Sequence, residues 1–200
     1  MSRVVLATRN VGKIRELETI LRESLPAVEV VGLGEFPDLE DVVESGVTFE
    51  ANATLKATYA ARMTNLPAVA DDSGLAVDVL GGAPGVFSAR WSGRHGDDAA
   101  NLRLLLDQLA DVPDEHRGAR FRCAAVLALP DGTTVCRSGD FPGTLTRAPR
   151  GSNGFGYDPI LQVEGDTRTA AELSPEDKNA ISHRGKAFRA LAPEIARLLG

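Results

Sequence analysis

The chain has 200 residues, of which 43% are hydrophobic, 25% charged and 5% aromatic, with a formal net charge of −6. That is about one domain with enough Ala, Val and Leu for a sizeable core, and its acidic balance speaks against DNA or RNA as the main partner while leaving room for a single nucleotide. No window approaches the roughly 20 apolar residues of a membrane span, the start MSRVVLATRN has no cleavage pattern, and Cys123 and Cys136 have no zinc-like partner set, so reduced thiols in a cytoplasmic protein are expected.

Residues 3–7 (RVVLA) read as a first buried strand, 8–13 (TRNVGK) as a polar turn, and the run from Lys13 as a helix with Ile14, Leu17, Ile20 and Leu21 on one face. A strand, a polar loop and a helix start bring backbone N–H groups, a helix dipole and a lysine to one point, which suits a phosphate. A helix cap at Thr8 or Asn10 beside a solvated lysine fits the same segment. A Walker A loop does not, because it needs glycine where Ala7 stands and Ser or Thr where Ile14 stands.

Residues 28–33 read as a second strand and 34–47 as a loop rich in acids, most of them solvated surface. A helix follows from about Thr48 to Met63 with Phe49, Ala53, Lys56, Ala57 and Ala60 near one stripe. Lys56 in that stripe is either a buried functional group or a lysine that snorkels to water. Next, Ala68-Val69-Ala70 runs into Asp71-Asp72-Ser73-Gly74, which reads as a short buried strand ending in a carboxylate pair at a tight turn. Adjacent carboxylates repel, so a cation there would be favoured, and oxygen ligands suit Mg²⁺ or Mn²⁺. A solvated Asp-Asp turn with Ser73 capping a helix is the alternative. The glycine-proline loop 81–85 that follows lets backbone approach a ligand closely.

Asp97-Asp98 opens a helix to about Ala110, and 119–129, Pro130-Asp131-Gly132 and 133–141 read as a β-hairpin. The loop 151–159 places three glycines around Phe155 and Tyr157; its aromatics are either a plate for a flat base or a plug beneath the loop. His183 and Arg184 stand just before a closing helix, where His183 is a structural histidine or, with Arg184, a ligand reader.

Five segments in order, TRNVGK (8–13), ESGVTFEANATLKA (44–57), ADDSGLAVDVLGGAPGVFSARWSG (70–93), GSNGFGYDPI (151–160) and LSPEDKNAISHRGKA (173–187), resemble the inosine/xanthosine triphosphate pyrophosphatases, which clear deaminated purine nucleotides. The resemblance runs nearly end to end. It implies an α/β fold with a mixed curved central sheet, flanking helices and two lobes around a substrate cleft, as one domain over 1–200, usually a homodimer.

The same resemblance implies roles. Thr8, Arg9, Asn10, Val11, Gly12 and Lys13 would hold the triphosphate, and Lys56 would face the phosphates. Glu44 and Asp72 would bind Mg²⁺, with Mn²⁺ as a substitute. Asp72 would also be the general base, supported by Asp71. Ser73 would contact substrate, and Phe155, Gly156, Tyr157, Asp158, Lys178, His183 and Arg184 would form the base pocket. The family often reads F-x-E-N-A in the second segment, whereas this chain has Phe49-Glu50-Ala51-Asn52-Ala53. The acid is displaced by about 100° around a helix, and Glu50 receives no role.

The expected reaction is hydrolysis of ITP, dITP or XTP to monophosphate and pyrophosphate, without nucleic acid or membrane as partners. Two alternatives are a pyrophosphatase for modified pyrimidine nucleotides and a nucleotide sensor without turnover. His183-Arg184 argues against the first, and the cluster Glu44, Asp71 and Asp72 argues against the second.

Overall fold

The computed structural model describes residues 2–9, 14, 19–22 and 28–199. Six strands form one sheet: β1 (Ser2–Leu6), β2 (Val28–Gly32), β3 (Ala68–Val77), β4 (Gly118–Ala128), β5 (Thr134–Leu145) and β6 (Leu161–Val163), in the order β2-β1-β3-β4-β5-β6. The sheet is mixed. β1 runs parallel to both β2 and β3, while β5 and β6 are antiparallel. Four α-helices accompany it: α1 (Phe49–Thr64), α2 (Asp98–Gln108), α3 (Pro175–Ile181) and α4 (His183–Leu199). Residues 14 and 19–22 are also helical, with Ile20 and Leu21 buried as the apolar spacing requires.

The chain divides into two compact units, Met1–Asp72 with Cys123–Gly139 and His183–Gly200, and Ser73–Arg122 with Asp140–Ser182. In the first unit, Val4, Leu6, Val69, Cys123, Ala125 and Leu127 of the strands meet Phe188, Leu191 and Ile195 of α4. Those three recur at helical spacing, which is why α4 buries one face. Gly139 of β5 sets how closely α4 can lie: a Cβ there would run into the His183 carbonyl and lie 2.8 Å from the Ala187 nitrogen. The Thr48 side chain accepts from the Ala51 N–H and caps α1, and Asn65 in the left-handed region (φ 54°) ends it.

In the second unit Leu75, Val77, Leu105, Leu109, Phe121, Phe141, Leu145 and Ile160 form the core. Arg117 lies buried beside it, and its guanidinium donates to the carbonyls of Leu109, Leu145 and Thr146. The β4–β5 hairpin closes where the sequence places its turn, with Gly132 at φ 93° and Leu129 N–H donating to the Thr133 carbonyl.

Two local expectations are corrected and one element is added. β3 does not stop at a turn after Ala70 but continues through Asp71, Asp72, Ser73 and Gly74 to Val77. Turn-forming residues stay extended here because β3 lies between β1 and β4 in the sheet, hydrogen-bonded to its neighbours. Gly74 adds space, since a Cβ on it would strike the Ser88 hydroxyl. The segment 175–181, to which the sequence reading assigns no element, is a helix capped by Ser174, whose hydroxyl accepts from Asp177 N–H. His183 and Arg184 are the first residues of α4 rather than a loop before it, with extended Ser182 as the single link from α3. Among the described residues no helix is long and apolar enough to cross a membrane.

Candidate active site

In the first unit β3 presents Asp71 and Asp72 to different surroundings, because successive strand side chains point to opposite faces. Asp72 meets α1: its Oδ1 lies 3.8 Å from Lys56 Nζ, and its Oδ2 accepts from Asn52 Nδ2 at 3.0 Å. Asp71 meets α4 and β4: its Oδ2 is 3.6 Å from Arg184 Nε and 3.9 Å from Cys123 Sγ. Each carboxylate therefore has its own cation. This is how two adjacent acids are tolerated in a strand, where both are buried.

Lys56 joins the loop before α1 to β3, because its Nζ also lies 2.6 Å from Glu44 Oε1. Burial by itself would push the Lys56 ammonium down. Asp71, Asp72 and Glu44 together outweigh it and hold the group above the ordinary lysine value. Lys56 is thus a charged, largely enclosed side chain, not a snorkelling one. The carboxylates of Glu44 and Asp72 converge on one cationic point, and their hard oxygens suit a divalent ion such as Mg²⁺. Among the described residues no three His, Cys, Asp or Glu side chains form a ready metal cluster. Two protein carboxylates completed by water and phosphate oxygens is a usual Mg²⁺ arrangement.

At the end of β1, Thr8 is half-buried and Arg9 turns to the acidic loop, where Nε donates to Asp41 Oδ1 at 2.8 Å and Nη2 to the Leu39 carbonyl. Asn10, Val11, Gly12 and Lys13 lie outside the described residues.

In the second unit the glycine-rich loop 151–157 carries a compact charged group. Asp158 Oδ2 accepts from Lys178 Nζ at 2.6 Å and from Phe155 N–H at 2.8 Å. Lys178 Nζ also lies 5.6 Å from the centre of the Phe155 ring. The two aromatics part company. Phe155 is 38% exposed, whereas Tyr157 is 4% exposed, packs in the core and donates its hydroxyl to the Ser88 carbonyl at 2.9 Å. Burial, aided by Asp98, pushes the Tyr157 phenol up, so it stays a neutral donor. Gly154 and Gly156 have φ of 76° and 64°, where a side chain would be strained. Gly156 N–H donates to Asp98 Oδ2 at 2.9 Å. Ser73 of β3 is half-buried.

The first unit thus brings together Glu44, Lys56, Asp71, Asp72 and Arg184, and His183, next to Arg184 in sequence, is buried; the second brings together Phe155, Asp158 and Lys178, supported by Gly156 and Tyr157. Two residues with evident roles carry no assignment from sequence. Asn52 is an amide standing among the alanines of the buried α1 stripe, and that position was the available signal. Asp98 holds the glycine loop besides lying in the first turn of α2, a link that no local pattern announces.

A model of the Ham1 family matches residues 4–194. A dITP/XTP pyrophosphatase of Streptomyces avermitilis is 65% identical over 200 residues, spanning the whole of both chains, and one of Streptomyces coelicolor is 64% identical over the same span. Among solved structures, a HAM1 protein from Coxiella burnetii superposes with a TM-score of 0.89 at 41% identity, covering 98% of this chain and 100% of its own. A nucleoside-triphosphatase described as a dITP/XTP pyrophosphatase from Mycobacterium abscessus gives 0.79 at 53% identity, covering 96% and 98%.

Proposed function

The chain belongs to the Ham1 family, and from that premise we propose that it hydrolyses deaminated purine nucleoside triphosphates (dITP, ITP and XTP) to the monophosphate and pyrophosphate. The observation that carries the reading is the convergence of Glu44 and Asp72 on Lys56, an anionic pair with a fixed cation in place for phosphate chemistry. Glu44 and Asp72 would hold a divalent cation, Mg²⁺ with Mn²⁺ as substitute; when bound it would neutralise phosphate charge and acidify water. Asp72 accepts the proton of the attacking water. The water oxygen bonds to the α-phosphorus as the bond from that phosphorus to the bridging oxygen breaks, and pyrophosphate leaves with the electron pair. Lys56, kept charged by its three carboxylates, and the loop Thr8–Lys13 stabilise that leaving charge. Asp71 keeps Arg184 in place.

The exposed Phe155 ring is a stacking surface for the base, and Asp158 holds both its backbone and Lys178. Hypoxanthine and xanthine carry a 6-carbonyl acceptor where adenine carries an amino donor. A donor facing that position would therefore pair with the first two and meet a donor in the third. Ser73 contacts the substrate. A cytoplasmic homodimer completes the reading: neither cysteine is in a disulfide, and exposed Val43, Val47 and Met63 are material for a subunit contact.

The test is product analysis after incubation with Mg²⁺ and, separately, ITP, XTP, dTTP, GTP and ATP. Monophosphate plus pyrophosphate from ITP and XTP, with ATP and GTP largely intact, is expected. Orthophosphate with a diphosphate would refute the cleavage position, rapid dTTP turnover would favour a pyrimidine substrate, and binding without turnover would leave a sensor.

A further inference from the structure

Asn52 is 0% exposed, and the reaction described above gives it no task. Both ends of its side-chain amide are engaged. Nδ2 donates to Asp72 Oδ2 at 3.0 Å, and Oδ1 accepts from the Gly46 N–H at 2.8 Å. These partners admit one orientation of the amide. Turned over, it would aim an oxygen at a carboxylate and an NH₂ at an N–H. Gly46 lies two residues beyond Glu44, and its backbone is seated on the first turn of α1. A Cβ at that position would lie 2.6 Å from Asn52 Oδ1 and 2.8 Å from the Ala51 Cβ.

We propose that Asn52 is a positioning residue that locks the plane of the Asp72 carboxylate and the backbone of the Glu44 loop into one frame. The inference rests on the pyrophosphatase reading. The physical reason is that a carboxylate turns readily about its last bond, and a hydrogen bond to one oxygen from a fully buried donor removes that freedom. With Oδ2 held by Asn52, Oδ1 is turned toward Lys56 at 3.8 Å. The other end of the same amide anchors the strand of loop that delivers Glu44 to that lysine at 2.6 Å. One side chain on a rigid helix thereby sets the spacing of two acids that stand 28 residues apart in the sequence (72 − 44). Support of this kind matters because about 1 Å of misplacement at a reacting group is enough for about a 100-fold loss of rate.

Three variants test it. Asn52→Asp keeps the volume but sets a carboxylate against Asp72, Asn52→Leu removes both hydrogen bonds, and Gly46→Ala pushes on the amide from the loop side while leaving Asn52 intact. Each is checked for native circular dichroism and for binding of an α,β-methylene analogue of ITP with Mg²⁺, then assayed for pyrophosphate release. For the folded variants kcat should fall by about 10- to 100-fold, while KM and the analogue Kd stay within about threefold of wild type. The Gly46→Ala/Asn52→Leu double variant should lose no more than the worse single, because both act on one tether. A kcat within about twofold of wild type for folded Asn52→Asp and Gly46→Ala, or losses that multiply in the double variant, would overturn the proposal. Failure of the wild type to release pyrophosphate would overturn the reading beneath it, so the two failures are seen in different proteins.

Discussion

The Lys178–Asp158 pair makes a sharp prediction about the loop that bears Phe155. The side chains are 10% and 4% exposed with Nζ and Oδ2 2.6 Å apart, so neither charge has water to fall back on. At an effective dielectric near 20, two unit charges at 2.6 Å attract by about 6 kcal/mol, most of which offsets the desolvation of both. Removing one partner leaves the other charged and buried, and the expected loss is about 3–5 kcal/mol. Lys178→Met carries that loss directly. Asp158→Asn carries it too, and weakens the acceptor for Phe155 N–H. For a chain of this size, about 2–4 °C of Tm per kcal/mol converts the loss to about 6–20 °C. The Lys178→Met/Asp158→Asn double variant should recover most of the stability, since no uncompensated charge remains, while its KM for ITP stays raised. Urea and thermal unfolding of the four proteins, with ITP kinetics alongside, measure the cycle. Single variants that lose under about 1 kcal/mol, or a double whose loss equals the sum of the singles, would refute a buried, coupled pair.

Three further outcomes follow from the geometry. Gly139→Ala forces a methyl against the backbone of the first turn of α4, so it should lower stability by about 1–3 kcal/mol by urea denaturation and, by shifting His183 and Arg184, reduce turnover as well. Lys56→Met should be less stable than wild type at neutral pH, because its carboxylate neighbours hold the folded-state Lys56 ammonium above the ordinary lysine value; on the alkaline side the gap should persist until the pH passes the ordinary lysine range and wild type loses the charge. A gap that closes well below that range would show that the ammonium is not held charged. Chelation with EDTA should stop pyrophosphate release without altering the circular dichroism, and Mg²⁺ in excess should restore it; full activity in EDTA would remove the metal from the proposal.

Much of the fold was legible because its signals are local. The apolar run of β1, the Thr48 cap and alanine stripe of α1, the leucines of α2 and the Pro-Asp-Gly turn of the hairpin all lie where periodicity and turn chemistry put them. Side chains that the family motifs group together also lie together in the structure: Glu44, Lys56 and Asp72 meet, and so do Phe155, Asp158 and Lys178.

What the residues alone determined was the set of elements and which chemical groups each carries, because helical and strand periods are properties of short windows. Only the tertiary structure decided which group each side chain faces. Asp71-Asp72-Ser73-Gly74 reads locally as a turn, yet strand pairing keeps it extended and sends Asp72 to Lys56 and Asn52, and Asp71 to Arg184. Phe155 and Tyr157, two residues apart, look alike on a glycine loop until the core takes one and solvent the other. Arg184 and Asp71 are brought together by the packing of α4, whose closeness at Gly139 is a matter of a missing methyl group. Such pairings join residues far apart in sequence, and they arise only when the sheet has formed and brought the partners within reach.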